Sequence, residues 1–177
     1  MSEGEVPLMD KSQRTTIRKV AKTYRIARIS IFSALCVIGS FIHPPSPIQT
    51  VAFDSSPGFF AALYFGAIDG LLVTGMGHMI TSVVNGLPLG VLHLPIALGM
   101  ASAGGAMGLV NGINYRWGFI PAAICGITIN TALFVTAIPA LGWTAAVAFA
   151  PFLLLASTMN GAVASLAYVS VRGRLRA

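Results

Sequence analysis

Charge is what this sequence has least of. Only 9% of its 177 residues are Asp, Glu, Lys or Arg, while 55% are hydrophobic. A soluble domain is about a quarter charged, so a water-exposed surface of this size is excluded and a single membrane domain is expected. Catalytic groups are missing as well. No paired carboxylates fall inside the apolar segments, which leaves acid–base hydrolysis without its players. There is no His-Glu-x-x-His zinc motif, no Gly-x-Ser-x-Gly elbow and no phosphate-binding P-loop. The chain is expected to be no enzyme, to need no cofactor or metal, and to be unable to drive ATP-powered transport by itself. It lacks a chain of intramembrane acids for proton pumping, and no inverted repeat marks a complete secondary transporter. The two cysteines, Cys36 and Cys125, lie in apolar segments without ligand spacing and read as buried thiols.

The net charge of +6 could indicate nucleic acid, but its placement argues against that partner. Seven of the eleven Lys and Arg lie between Lys11 and Arg28; the others are Arg116, Arg172, Arg174 and Arg176. They cluster at segment ends, as membrane topology requires. No short apolar stretch with a cleavage site follows the polar start, so no removable signal peptide is expected. Residues 1–24 are expected to form a basic cytoplasmic tail, with an amphipathic stretch from Thr16 to Arg28 lying on the membrane surface. Residues 25–172 then form the membrane domain, and 173–177 a second cytoplasmic tail.

A spanning helix needs about 20 mostly apolar residues. Candidate spans run over residues 26–42, 92–113, 118–138 and 143–171, with a long apolar run at 57–84 interrupted by Gly66-Ala67-Ile68-Asp69-Gly70. Charge decides how to read that run. One long helix would put Arg116 and the C-terminal arginines opposite the N-terminal cluster. Two short helices meeting at Asp69 put every Lys and Arg on one side, which the positive-inside rule makes cytoplasmic. The expected fold is therefore an all-α integral membrane bundle of six transmembrane helices, with both termini cytoplasmic.

Polar residues inside spans are costly and tend to be functional. His78, Asn130 and Asn160 are of this kind, while Asp54, Asn85 and His93 map to the outer side. Each has a structural reading of its own. An Asn or His can bond a neighbouring carbonyl, and Asp54 can cap the helix that begins near Pro57. Together with Phe53, Phe59, Phe60, Tyr64 and Trp143, they describe apolar walls carrying a few placed polar groups, the make-up of a small-molecule pocket. The outer half holds no Lys or Arg, which points to a neutral or cationic ligand with an aromatic body. Small residues repeat at Gly104, Gly108 and Gly112 and at Ala97, Ala101 and Gly105, favouring close helix packing. Ser30-x-x-x-Ala34 forms a similar pair in the first span. A membrane scaffold built on such faces, with no ligand, is the competing class.

The stretch from Val51 to Gly66, Val-Ala-Phe-Asp-Ser-Ser-Pro-Gly-Phe-Phe-Ala-Ala-Leu-Tyr-Phe-Gly, resembles the second-helix region of S components. These are the substrate-binding subunits of energy-coupling factor (ECF) vitamin transporters. Gly70 to Met79 and Asn85-Gly86-Leu87-Pro88-Leu89-Gly90 continue the likeness, which extends over residues 25–172. The resemblance implies capture of a vitamin from outside beneath lid loops after the first and third helices. Docking on a transmembrane coupling subunit with two ATPase subunits would follow, then toppling in the bilayer to release the ligand. It also implies that Ser30 and Ala34 dock on the partner, Ser30 standing where the family has alanine. The Phe-Asp-Ser-x-Pro-Gly and Gly-His segments most resemble the branch for α-ribazole, a neutral benzimidazole nucleoside precursor of cobalamin. The residues expected at the substrate, from the polar and aromatic groups singled out above, are Phe53, Asp54, Tyr64, His78, Asn85, His93, Asn130 and Asn160. Rival substrates are intact cobalamin, with His78 or His93 on cobalt, a thiamine-like cation paired with Asp54, and riboflavin.

Overall fold

Proline at residue 57 starts a helix well, because its missing N–H has no partner in the first turn anyway. Helix α2 accordingly runs Ser56–Phe65 and stops at Gly66, whose φ of 97° is left-handed and open to glycine without steric cost. The chain turns there and α3, Ala67–Val84, folds back along α2. A Cβ on Gly70 would stand 2.5 Å from the Ala62 Cβ, and one on Gly58 would stand 2.5 Å from Thr74. That pairing is antiparallel about Gly66, so the 57–84 run is two helices, as the charge argument requires.

The computed structural model describes residues 11–42, 52–114 and 116–173. Around the α2–α3 hairpin lie α1 (Lys11–Ser40), α4 (His93–Ile113), α5 (Phe119–Ala132), the four-residue α6 (Ile138–Leu141) and α7 (Trp143–Arg172). A 3₁₀ turn over Leu133–Ala137 joins α5 to α6, making one nearly continuous segment. Every regular element among the described residues is helical. The expected loop after the first span lies outside the described residues up to residue 51, as do residues 1–10 and 174–177.

Contacts give the direction of each segment. Arg25 meets Asp69 and Cys36 lies at Gly77, so α1 and α3 run parallel. Thr74 meets Met100 and His78 meets His93, so α4 runs back. Met107 lies at Gly126 and Leu133 at Gly99, so α5 reverses again; Gly161 lies at Ile127 and Arg172 over the Phe119 ring, so α7 returns. Six segments therefore alternate in direction, and α1 begins at the end of the bundle where α7 finishes. Four stretches are long and apolar enough to cross a membrane: Ala67–Val84, Gly90–Ile113, Phe119–Leu141 and Trp143–Arg172. The ten-residue α2 is too short for that, and Arg25 and Arg28 intrude on the apolar half of α1.

One sequence expectation changes here. The basic stretch from Thr16 to Arg28 is no separate surface helix; it is the first part of the unbroken 30-residue α1. The small-residue ladders, in contrast, pack internally except at Gly112, which is exposed with nothing beside it. Gly104 abuts the Gly70 backbone and Gly108 abuts Ala67, while Ala97 and Ala101 face Gly75. Because neither Gly70 nor Gly104 has a Cβ, α3 and α4 approach closely enough for the Thr74 hydroxyl to sit 2.7 Å from both Gly70 O and Met100 O.

Asp69 is 1% exposed and binds two α1 arginines. Arg25 Nη2 donates to Oδ2 at 3.0 Å; Arg28 donates from Nε to Oδ1 and from Nη2 to Oδ2, both at 2.9 Å. The Arg28 guanidinium also lies 4.6 Å from the Phe65 ring centre. Arg172 donates to Arg116 O at 2.9 Å and shares a surface depression with Gly66, so these four arginines gather at one end of the bundle. The arginines on Asp69 are 42% and 35% exposed and can turn to water, whereas Asp69 cannot. Removing the carboxylate should therefore cost less than stripping it of partners. Asp69→Ala is expected to lower the unfolding midpoint of detergent-purified protein less than Arg25→Ala/Arg28→Ala. The double variant leaves a buried lone charge, at about 3–5 kcal/mol.

Candidate ligand-binding site

At the end opposite the arginines, the segment that begins at Ala52 is fastened to α7 by one amide. Asn160 is 1% exposed. Its Nδ2 donates to Ala52 O at 2.9 Å and to Ala156 O at 2.9 Å, and its Oδ1 accepts from Ser56 N–H at 2.7 Å. The strip from Ala52 to Ser56 is thus pinned at both ends, which sets Asp54 between them. Ser55 Oγ donates to Asp54 Oδ1 at 3.1 Å and Thr81 Oγ1 to Oδ2 at 3.3 Å.

The loop after α3 shapes the opposite wall. Gly86, Leu87 and Gly90 all take left-handed φ, of 80°, 51° and 55°. For Leu87 this carries a cost of order 1–2 kcal/mol, offset by a bond from Leu87 N–H to Ser82 O at 2.8 Å. The turn aims Leu89 N–H at His93 Nε2, 3.2 Å away. His93 Nδ1 lies 2.9 Å from Ser82 Oγ and 3.2 Å from His78 Nε2, and Ser82 Oγ donates to His78 O at 2.7 Å.

Between these walls lies a cavity of about 60 Å³, lined by Asp54, Ser55, His78, His93, Asn130, Ser157 and Asn160 together with apolar Ile96, Leu133, Phe134, Phe149 and Leu153. Ser157 is fully buried and its hydroxyl has no partner among the described residues. A buried polar atom left unpaired is costly, so a donor or acceptor offered by a ligand or water would be well received there. No Lys or Arg lines the cavity among the described residues.

The structure therefore brings five of the sequence-selected residues together: Asp54, His78, His93, Asn130 and Asn160. Asn85 lies in an adjoining recess of about 30 Å³ with Ser40, Asp54 and Thr81, and its Nδ2 donates to Thr81 O at 2.8 Å. Phe53 holds the strip through its backbone, N–H to Ile42 O at 3.0 Å, and does not line the cavity. Tyr64 is placed elsewhere. It stands two residues from the Gly66 turn, stacked on Phe60 with centroids 5.3 Å apart, and lines the depression beside Arg172. Phe59 is buried in the core and Trp143 is exposed, so the aromatic wall comes from Phe134 and Phe149 instead. Ser157 was missed in the sequence; its signal is the spacing of three from Asn160, which puts both on one helix face. Ser30 and Ala34 both lie exposed on α1.

Comparison with known proteins gives a consistent picture. The family model described as "ECF transporter, substrate-specific component" matches residues 24–172. A solved structure described as the S component of a bacterial ECF transporter aligns with a TM-score of 0.59 at 19% identity, covering 88% of this chain and 96% of that one. At that identity the likeness shows the fold. No curated protein matches the sequence.

Asn160→Ala would leave Ala52 O and Ser56 N–H unpaired, at about 1–3 kcal/mol for each buried group. Faster hydrogen exchange at the Ser56 amide is expected, with protection in α3 and α4 retained. Unchanged exchange there would mean that the strip is held by something other than the amide.

Proposed function

The chain belongs to the family of ECF transporter substrate-specific components, membrane subunits that bind small molecules and work with an energising module of transmembrane and ATPase subunits, and on that footing we propose that it captures α-ribazole from outside the cell. The arginine end faces the cytoplasm in this reading, by the positive-inside rule, and the six alternating segments span the bilayer with both termini inside. The Asp54 end then opens outward. Members of this family are transporter subunits, not enzymes.

The observation that carries the substrate is the polar lining of the cavity, which holds Asp54 and neutral groups but no Lys or Arg among the described residues. Asn130, Ser157 and His78 supply neutral donors and acceptors, Asp54 can accept ribose hydroxyls, and Phe134 and Phe149 offer flat apolar surface for a benzimidazole. An anionic ligand would meet no cation there among the described residues. The cavity of about 60 Å³ is well below the ~300 Å³ at which ligand pockets begin, so the nucleoside enters by displacing the strips beside it. The loop after α3 is one lid; the other, expected after the first helix, lies outside the described residues. Ser30 and Ala34, on the exposed side of α1, form the face for the coupling subunit.

Titration calorimetry on purified protein tests the substrate: α-ribazole is expected to bind tightly, and Asp54→Ala to weaken it at least about tenfold, the loss of roughly one charge-assisted hydrogen bond. Tight binding of cobalamin, thiamine or riboflavin instead would keep the transporter subunit and discard the substrate; failure of all four would favour a scaffold. A second measurement separates docking from capture. Ala34→Leu is expected to leave α-ribazole affinity unchanged while abolishing uptake by cells that contain the energising module, and retained uptake would remove α1 from the docking face.

A further inference from the structure

The two histidines carry a hydrogen-bond direction that the chain itself dictates. Leu89 N–H is a backbone donor with no alternative role, so His93 Nε2, 3.2 Å away, must be the unprotonated nitrogen of a neutral ring. The His93 proton then resides on Nδ1. Its neighbours are Ser82 Oγ at 2.9 Å and His78 Nε2 at 3.2 Å. Ser82 has a single hydroxyl proton and directs it to His78 O at 2.7 Å, so it accepts from His93. Ser82 Oγ also lies 3.3 Å from His78 Nε2, but a proton on that nitrogen would converge with the His93 Nδ1 proton on the one oxygen, the two nitrogens being 3.2 Å apart, and the two would repel. His78 Nε2 is therefore an acceptor, and the His78 proton sits on Nδ1.

That Nδ1–H has no partner among the described residues, although the His78 ring lines the cavity. A donor that a bound ligand cuts off from water without offering an acceptor is costly, so a ligand that offers one is selected over a ligand that does not. We propose that His78 Nδ1–H is the specificity-determining donor of this site, held in that tautomer by a relay from Leu89 through His93, and that the ligand places an unprotonated aromatic ring nitrogen against it. This rests on the ligand site proposed above. In α-ribazole the acceptor is the benzimidazole nitrogen that does not carry the ribose. The same relay leaves the site no free imidazole lone pair for a cobalt ion, since both Nε2 atoms are occupied and both Nδ1 atoms are protonated. It also ties the loop after α3 to specificity: moving Leu89 away frees His93, and with it the tautomer of His78.

The test compares α-ribazole with its indole isostere, in which that ring nitrogen is replaced by C–H and the shape is kept. Wild-type protein is expected to bind the isostere at least about tenfold more weakly. In His78→Ala the two ligands should bind alike, and in His78→Asn, whose amide nitrogen falls near the Nδ1 position, part of the discrimination should return. His93→Ala should reduce the discrimination while His78 is still present, as expected of a positioning residue. Equal binding of both ligands by wild type, or discrimination that survives in His78→Ala, would overturn the proposal. A ligand-independent measurement stands beside these. Nitrogen-15 NMR of histidine-labelled protein is expected to show His78 protonated at Nδ1, and an Nε2-protonated ring contradicts the relay. If neither nucleoside binds well-folded protein, the substrate reading fails by itself and the NMR result decides the relay.

Discussion

A carboxylate in an apolar bundle is tolerable only when its charge is answered in place, and Asp69 is answered twice. Its two oxygens take three hydrogen bonds of 2.9–3.0 Å from Arg25 and Arg28, and Phe65 covers one guanidinium. This pairing joins α1 to the turn between α2 and α3, where the chain reverses through the single residue Gly66. From that anchor the register of α1 follows: Cys36 meets Gly77 one side of the helix inward, while Ser30 and Ala34 are left facing outward. The interaction is less a source of net stability than a fixed point. Burying charge is expensive, and the return is a single allowed arrangement of α1 on the hairpin.

The two ends of the bundle solve different problems. At the arginine end, full charges neutralise one another or reach water. At the other, one carboxylate, Asp54, sits among neutral groups: Ser55 and Thr81 bond it, Asn160 satisfies the backbone of the Ala52–Ser56 strip, and Ser82 and His93 bond one another beside His78. What those networks leave over at the cavity is a buried hydroxyl, that of Ser157, with no partner among the described residues. A binding protein needs such a surplus, and a scaffold gains nothing from it. The distribution also fits an import subunit, whose ligand end must lie away from the cytoplasmic side that basic residues mark.

Much of this was legible in the sequence because charge and polarity are sparse. With so few cations, their placement alone separated a two-helix reading of residues 57–84 from a one-helix reading, and the Gly66 turn agrees. Five of the eight residues expected at the ligand meet at one cavity because polar groups in apolar helices had few other uses. Tyr64 went astray for a physical reason. Helix α2 rises about 1.5 Å per residue, so a residue near its end lies more than ten ångströms from Asp54 and beside the opposite face of the bundle. Nearness in sequence to Asp54 concealed that. The continuity of α1 was hidden because its composition changes at Arg28 while its backbone does not; Arg25 and Arg28 belong to the bundle through Asp69, a contact across more than forty residues that periodicity cannot show. Ser157 looked like any small helix residue, and only its lack of a partner sets it apart.

The account turns on where the ligand sits. The direct measurement is a structure of the protein with α-ribazole bound. The account predicts density for the nucleoside at the Asp54 end, its benzimidazole between Phe134 and Phe149 and its free ring nitrogen within hydrogen-bond distance of His78. Density at the arginine end beside Tyr64 and Arg172, or in a groove on the outer surface of the helices, would contradict it.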